Sequence, residues 1–159
     1  MKIQQYLLVL LEVLFPYMLN ADITEDIHFS HIGLEEGLSH STIFAINQDK
    51  GGNLWFATYD GVNKYDGYNF TVYRHQYTHP NSIASDISRC ITMDDSDRIW
   101  IGTREGLSLY NHYKDEFSNY YYKRNGLNVA VTSIIPIKKD WLMLGTCLLY
   151  TSPSPRDCS

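Results

Sequence analysis

Apolar and polar positions alternate along this chain in short runs broken by turn residues, and the runs recur. Residues 42–47 alternate well enough for a half-buried strand, and Asp49-Lys50-Gly51-Gly52-Asn53 is a turn cluster. Residues 54–58 are aromatic and β-branched enough for a second strand. Asp60-Gly61 then supplies the positive-φ chemistry of a tight hairpin. Residues 62–65 return as a third strand, Asp66-Gly67 turns again, and residues 70–73 make a fourth. Residues 87–92, 99–103, 107–110 and 117–121 fill the same places a second time.

The recurrence has a fixed spacing. Asp49 and Asp94, Trp55 and Trp100, Thr58 and Thr103, Gly61 and Gly106, and Tyr65 and Tyr110 all stand 45 residues apart, with no gap. A third copy opens at Asn125-Gly126-Leu127 and runs through Ile134-Ile135 to Leu144-Gly145-Thr146. Thr146 follows Thr103 by 43 residues, so this copy is two shorter, a loss assigned to the turn at Lys138-Lys139-Asp140. Four short antiparallel strands every 40–45 residues or so are the unit of a β-propeller blade. The period is too long and too strand-rich for helical solenoids or leucine-rich repeats. The expected fold is all-β: about two four-stranded blades and a partial third. The Trp rings should fill the space between blades, with Gly102 and Gly145 admitting a close approach beside them. Residues 27–32 read as a lone opening strand, suited to closing a ring and hiding an edge.

Composition agrees. The 159 residues are 44% hydrophobic and 14% aromatic, with thirteen tyrosines, a balance that favours pleated, half-buried surfaces over disorder. The net charge of −5 is spread among turns and leaves no basic footprint for nucleic acid. Before the first repeat, Lys2 precedes a nearly continuous apolar run over residues 6–15, and polar chain begins after Ala21. Residues 1–21 are read as a secretory signal peptide, the apolar stretch being short of the ~20 residues of a membrane span. Cys90, Cys147 and Cys158 have no paired spacing, so neither a disulfide framework nor a zinc site is expected.

Catalytic and metal chemistry find little support. His28 with His31, and His75 with His79, have metal-pair spacings but no helix and no completing Cys or carboxylate, so they read as surface or turn histidines. Asp94-Asp95-Ser96-Asp97 lacks the Gly and distal Glu of a calcium loop and aligns with the plain turn of the first copy. Ser39, Ser41 and Ser88 have no His and Asp arrangement, and Lys50-Gly51-Gly52 is not a phosphate loop. Tyr120-Tyr121-Tyr122, Trp55 and Trp100 could stack on sugar rings, but aromatic residues at repeat positions belong first to a blade core. No catalytic, cofactor-binding or metal-binding residue is assigned, no cofactor is expected, and the ligand-binding residues are left open.

The motifs resemble the two-component regulator propeller repeat. Gly37-Leu38-Ser39, Asp49, Gly52, Leu54-Trp55, Thr58, Gly61 and Tyr65-Asp66 carry the likeness in the first copy. Asp94, Ile99-Trp100-Ile101-Gly102-Thr103, Gly106-Leu107 and Tyr110 carry it in the second, and Ala57 departs from the usual Gly. The resemblance implies the periplasmic sensor half of a hybrid two-component histidine kinase of a Gram-negative bacterium, with an oligosaccharide as ligand of the full-length protein. Further blades of the parent chain would be its partners, and membrane attachment, kinase and output parts would lie downstream. The expected division is 1–21 signal peptide; 22–146 incomplete propeller, with repeats at 37–80, 82–124 and 125–146; and 147–159 a non-native tail, since Pro153 and Pro155 cannot continue strand pairing. Two alternatives stay open: a propeller enzyme of streptogramin-lyase type, and a structural propeller attached to another output such as a diguanylate cyclase.

Overall fold

The computed structural model describes residues 28–138 and 141–146. Regular structure in these residues is entirely β. Strands β1 (Ile43–Gln48), β2 (Leu54–Thr58), β3 (Val62–Tyr65) and β4 (Phe70–Tyr73) pair antiparallel in chain order as one four-stranded sheet. A second sheet of the same order holds β5 (Ser88–Met93), β6 (Ile99–Thr103), β7 (Leu107–Asn111) and β8 (Glu116–Tyr120). A small hairpin of β9 (Lys123–Arg124) and β10 (Leu127–Asn128) leads to β11 (Val131–Lys138) and β12 (Trp141–Thr146), which form the start of a third sheet. These are propeller blades: β5 packs against β1 and β2 on one side and against β11 on the other. The first strand of each sheet is therefore the inner one, and the three inner strands lie side by side.

Each hairpin has its cause in the sequence. Gly61 and Gly67 sit at φ 89° and 98°, the left-handed region where a side chain would be strained. A Cβ on Gly61 would also collide with the carbonyl oxygen of Tyr73. Asn125 and Gly126 both take positive φ, 51° and 79°, as a two-residue hairpin requires. That dipeptide, read above as the opening of the third copy, thus closes a hairpin of its own.

Strands two and three of the first sheet, β4 and β6 run as the pattern predicts, while the other expected bounds differ by a residue at one or both ends. Alternation fixes which side chains share a face; where a ladder stops depends on the partner strand. Residues 28–32 show the same limit. They carry no strand, against the expectation of a lone opening strand, because extended chain becomes a strand only beside a neighbour that completes its hydrogen bonds. The expected signal peptide, the tail at 147–159, and Lys139 and Asp140 of the third turn lie outside the described residues.

Two hydrophobic layers separate the blades. Trp55, Ala57 and Val62 of the first blade meet Ile91, Ile99, Ile101, Tyr110 and Phe117 of the second, joined by Ile83 from the connection. On the far face of the second blade, Trp100 and Leu107 meet Val131 and Ile134, flanked by Cys90, Leu109 and Leu142. Complete burial of a Trp ring removes about 200 Å² from water, on the order of 5 kcal/mol of transfer free energy. Trp55 is fully buried.

Candidate functional site

The residues that repeat at the 45-residue spacing have structural work in both blades. A buried indole N–H needs an acceptor. Trp55 Nε1 donates to Asp49 Oδ2 and Trp100 Nε1 to Asp94 Oδ2, each at 2.9 Å. The other oxygen of each carboxylate holds its turn, accepting from Asn53 N at 2.9 Å or from Ser96 N and Arg98 N at 2.9 and 3.0 Å. Burial opposes the charge on Asp49 and Asp94, and these hydrogen bonds overcome it, so both carboxyl groups titrate below the ordinary value. Thr58 and Thr103 each donate from Oγ1 to the carbonyl of Gly61 or Gly106 at 2.9 Å, clamping the next hairpin. Asp94 therefore belongs to a turn, as the alignment with Asp49 suggests.

The small residue near each Trp is matched across the strand pair. Ala57 faces Ala45, Gly102 faces Cys90 and Gly145 faces Ser133. A Cβ on Gly102 would strike Cys90 Sγ and stand 2.8 Å from the Val131 carbonyl oxygen, and one on Gly145 would strike Ser133 Oγ. The departure at Ala57 is thus accommodated by its small partner. Burial pushes the Cys90 thiol up to about 11, which leaves it protonated and unreactive at neutral pH.

A cross-blade knot ties β4 of the first blade to β7 and the β7–β8 turn of the second. Tyr73 of the first blade and Tyr110 of the second both donate to Asp115 Oδ1 at 2.6 Å, with their hydroxyls 3.3 Å apart. Burial and the Asp115 bond raise the Tyr73 phenol far above its ordinary value and Tyr110 to about 12. The two phenol donors hold Asp115 ionised below its usual range. Neither phenol can exchange protons near neutrality, so the knot is structural.

The remaining sequence candidates scatter. His28, His31 and His79 are exposed, and His75 is half-buried with Nδ1 2.8 Å from the Ile83 carbonyl oxygen, tying the inter-blade connection. Among the described residues no group of three potential ligands could hold a metal. Ser39 bonds Thr58 and Asn63, Ser41 is exposed, and Ser88 is fully buried. Lys50 reaches the Asp95 carbonyl oxygen at 3.2 Å, a turn-to-turn contact between blades. Trp55 and Trp100 are both buried and offer no ring to a sugar; Tyr120, Tyr121 and Tyr122 stay exposed, the first beside Trp100 at 6.1 Å.

Polar and aromatic side chains also line a region at each end of the inner strands. One is a cleft of about 680 Å³ between turns of the two blades, lined by Asp49, Asn53, Asp97, Arg98, His112 and Tyr113 among others. The second lies at the opposite ends of the inner strands. There each inner strand carries a β-bulge, between Ile43 and Ala45, Ser88 and Cys90, and Val131 and Ser133. The bulges leave Phe44, Arg89 and Thr132 out of the ladder. Sequence reasoning missed this set because a bulge shows itself only in the register of two strands.

The pattern of the two-component regulator propeller family matches residues 37–60 and 82–105, the two spans that hold the Asp, Trp and Thr positions described above. These are two-component regulator propeller repeats. A 49-residue stretch is 47% identical to histidine kinase P4 of Formosa agariphila, covering 31% of this chain and 4% of that protein. The propeller repeats are also similar to a solved extracellular domain from B. thetaiotaomicron described as belonging to a hybrid two component system. That likeness has 36% identity and a TM-score of 0.59, over 67% of this chain and 16% of that one. A second B. thetaiotaomicron extracellular domain, from a protein described as a one component system, shares the fold at 18% identity with a TM-score of 0.59, over 74% of this chain and 16% of its own. The propeller chain thus spans a small part of each relative's length.

Proposed function

We propose that this chain is part of the periplasmic ligand-sensing propeller of a two-component sensor at a Gram-negative inner membrane. Its ligand is an oligosaccharide, and it acts by binding rather than by catalysis. The observation that carries this reading is the pair of propeller repeats joined to the likeness with an extracellular domain of a hybrid two component system. The repeat residues support it, since their carboxylates, hydroxyls and phenols are engaged in holding the blades and none is set beside a partner for acid–base or nucleophilic work. Export by residues 1–21 and a histidine kinase downstream complete the proposal. The test is autophosphorylation of the intact protein in vesicles, with oligosaccharides added on the propeller side. A saccharide-dependent change in phosphorylation is expected. Turnover of the saccharide, or phosphorylation indifferent to every oligosaccharide offered, would overturn the reading.

A further inference from the structure

We infer that the bulged ends of the inner strands form a binding site for an anionic saccharide, with Arg89 taking the charge and Phe44, Tyr59 and His40 the ring; this rests on the oligosaccharide-sensing reading above. A β-bulge re-aims one side chain out of the ladder, and bulges cluster where a fold places functional groups. Here the bulge recurs in three consecutive blades, and its residue changes each time, from Phe44 to Arg89 to Thr132. The positions that follow keep their type, a small residue at Ala45, Cys90 and Ser133 and then Ile46, Ile91 and Ile134. A position that is fixed in backbone, exposed in side chain and different in every blade is free to recognise something.

The residues meet across the blades. The Arg89 guanidinium lies 5.6 Å from the centre of the Phe44 ring. Tyr59, from the turn after β2, brings its ring to 6.2 Å from Phe44 and 5.6 Å from His40. Phe44 remains 40% exposed and Tyr59 50%, a large apolar area to leave uncovered beside a cation. Stacking engages only the flat face of a guanidinium. Its in-plane N–H donors stay available and match a carboxylate or sulfate in two-point geometry. Arg89 has no ion pair or side-chain hydrogen bond with the described residues, so this charge is not already neutralised. The three rings offer flat surface for the C–H face of a pyranose. A uronate and a sulfated sugar share this chemistry, a charged group beside an apolar ring face; a neutral sugar would leave Arg89 unused.

The intact protein can be probed on a glycan array carrying neutral, uronate-bearing and sulfated oligosaccharides, followed by titration calorimetry with the best binder. Binding to acidic members is expected, weakening as salt rises. Whether uronates or sulfated sugars dominate identifies the source of the charge. Arg89→Ala should weaken binding at least about tenfold, the loss of one charge-assisted hydrogen bond. Arg89→Lys, which keeps the charge without the fork, should fall between, and Phe44→Ala should weaken acidic binders with an unchanged salt slope. Circular dichroism melts of each variant separate lost binding from lost folding. Neutral sugars bound as tightly as acidic ones, or acidic binding unchanged in a folded Arg89→Ala protein, would overturn this site and leave the sensing proposal standing. Binding to no glycan at all would overturn both.

Discussion

The first and second blades carry one pattern at a 45-residue spacing, yet the same position meets a different fate in each. Ile91 on β5 is 7% exposed, while Ile46, its counterpart on β1, is 56% exposed. The cause is the neighbour. Trp55, Ala57 and Val62 of the first blade lie over Ile91 and its companions, and nothing among the described residues lies over Ile46 in the same way. The uncovered face instead packs on itself, with Phe56 and Tyr65 bringing their rings to 5.8 and 4.7 Å from Phe70. Local sequence determines the strands and hairpins of a blade; the adjoining blade determines what is buried. This is the quasi-one-dimensional logic of repeat proteins, in which stability resides largely at interfaces between units.

The largest test of that division falls on the Trp position. Trp55→Ala in the intact protein should cost about 3–5 kcal/mol in denaturant unfolding, from the cavity between blades and the stranded Asp49 carboxylate. Trp100→Ala should fall in the same range. Met143 holds the corresponding place on β12 but is 56% exposed. No described residue lies over it, so Met143→Ala should change stability by under ~0.5 kcal/mol if the described blades alone decide its burial. A cost approaching that of Trp55→Ala would mean that a further blade covers β12 in the intact protein and would extend the comparison by one unit.

The carboxylates beneath the two Trp rings come next. Asp49→Asn or Asp94→Asn should each cost about 1.5–3 kcal/mol near neutral pH, since each removes a charge that accepts several donors. Both groups have folded values below the ordinary ~3.9 of an unfolded aspartate. Their contribution is therefore present above about pH 4 and is lost as pH falls through the lower folded values. Unfolding free energy measured against pH should decline on that acid limb, and the double Asn variant should flatten it. An acid limb of unchanged slope would show that the two carboxylates do not govern it.

Much of this was legible in advance, and the reasons are specific. The Asp, Trp, Thr and Gly positions sit in short-range structure, so their spacing reveals the blade, its turns and its order of strands. The partners of those residues were less visible. That Asp49 takes the indole of Trp55, six residues on, follows from strand geometry only once the turn is built. The small residue beside each Trp was read as room for a close backbone approach. What occupies the room is largely a cross-strand side chain, Cys90 or Ser133, with the Val131 carbonyl oxygen added at Gly102. The bulge residues Phe44 and Arg89 were not legible at all, because their exposure depends on ladder register rather than on alternation.

That matching of small residues supports a third test. Gly102→Ala should cost about 1–3 kcal/mol through overpacking against Cys90 and the Val131 carbonyl oxygen. Pairing it with Cys90→Ala recreates the Ala45 and Ala57 arrangement of the first blade and should recover the part due to the sulfur. A double-mutant cycle on unfolding free energies isolates that coupling. Strict additivity would mean the sulfur is not what Gly102 avoids.

The smallest difference between the blades lies at the turn after the second strand. Asp60 of the first blade pairs with Arg74, with Nη2 to Oδ2 at 2.9 Å and a second bond from Nε to Oδ1 at 3.1 Å. The bond from Arg74 is the main reason Asp60 titrates below its ordinary value. At the matching place in the second blade, Glu105 accepts instead from the Asn128 amide at 2.8 Å. The side chains of Arg74 and Asp60 remain 48% and 39% exposed, so water and salt screen the pair and two side chains must be ordered to keep it. The two-point geometry favours it, but exposure should dominate. Arg74→Ala should therefore lower stability by no more than about 1 kcal/mol, and by less in molar salt, read as the shift in denaturant midpoint at unchanged slope. Because the Asp60 side chain is itself 39% exposed, Asp60→Ala should give the same small value, and the two changes together should cost little more than one alone. A cost of several kcal/mol that survives high salt would mean that the turn is covered in the intact protein, and that this pair, too, belongs to an interface between blades.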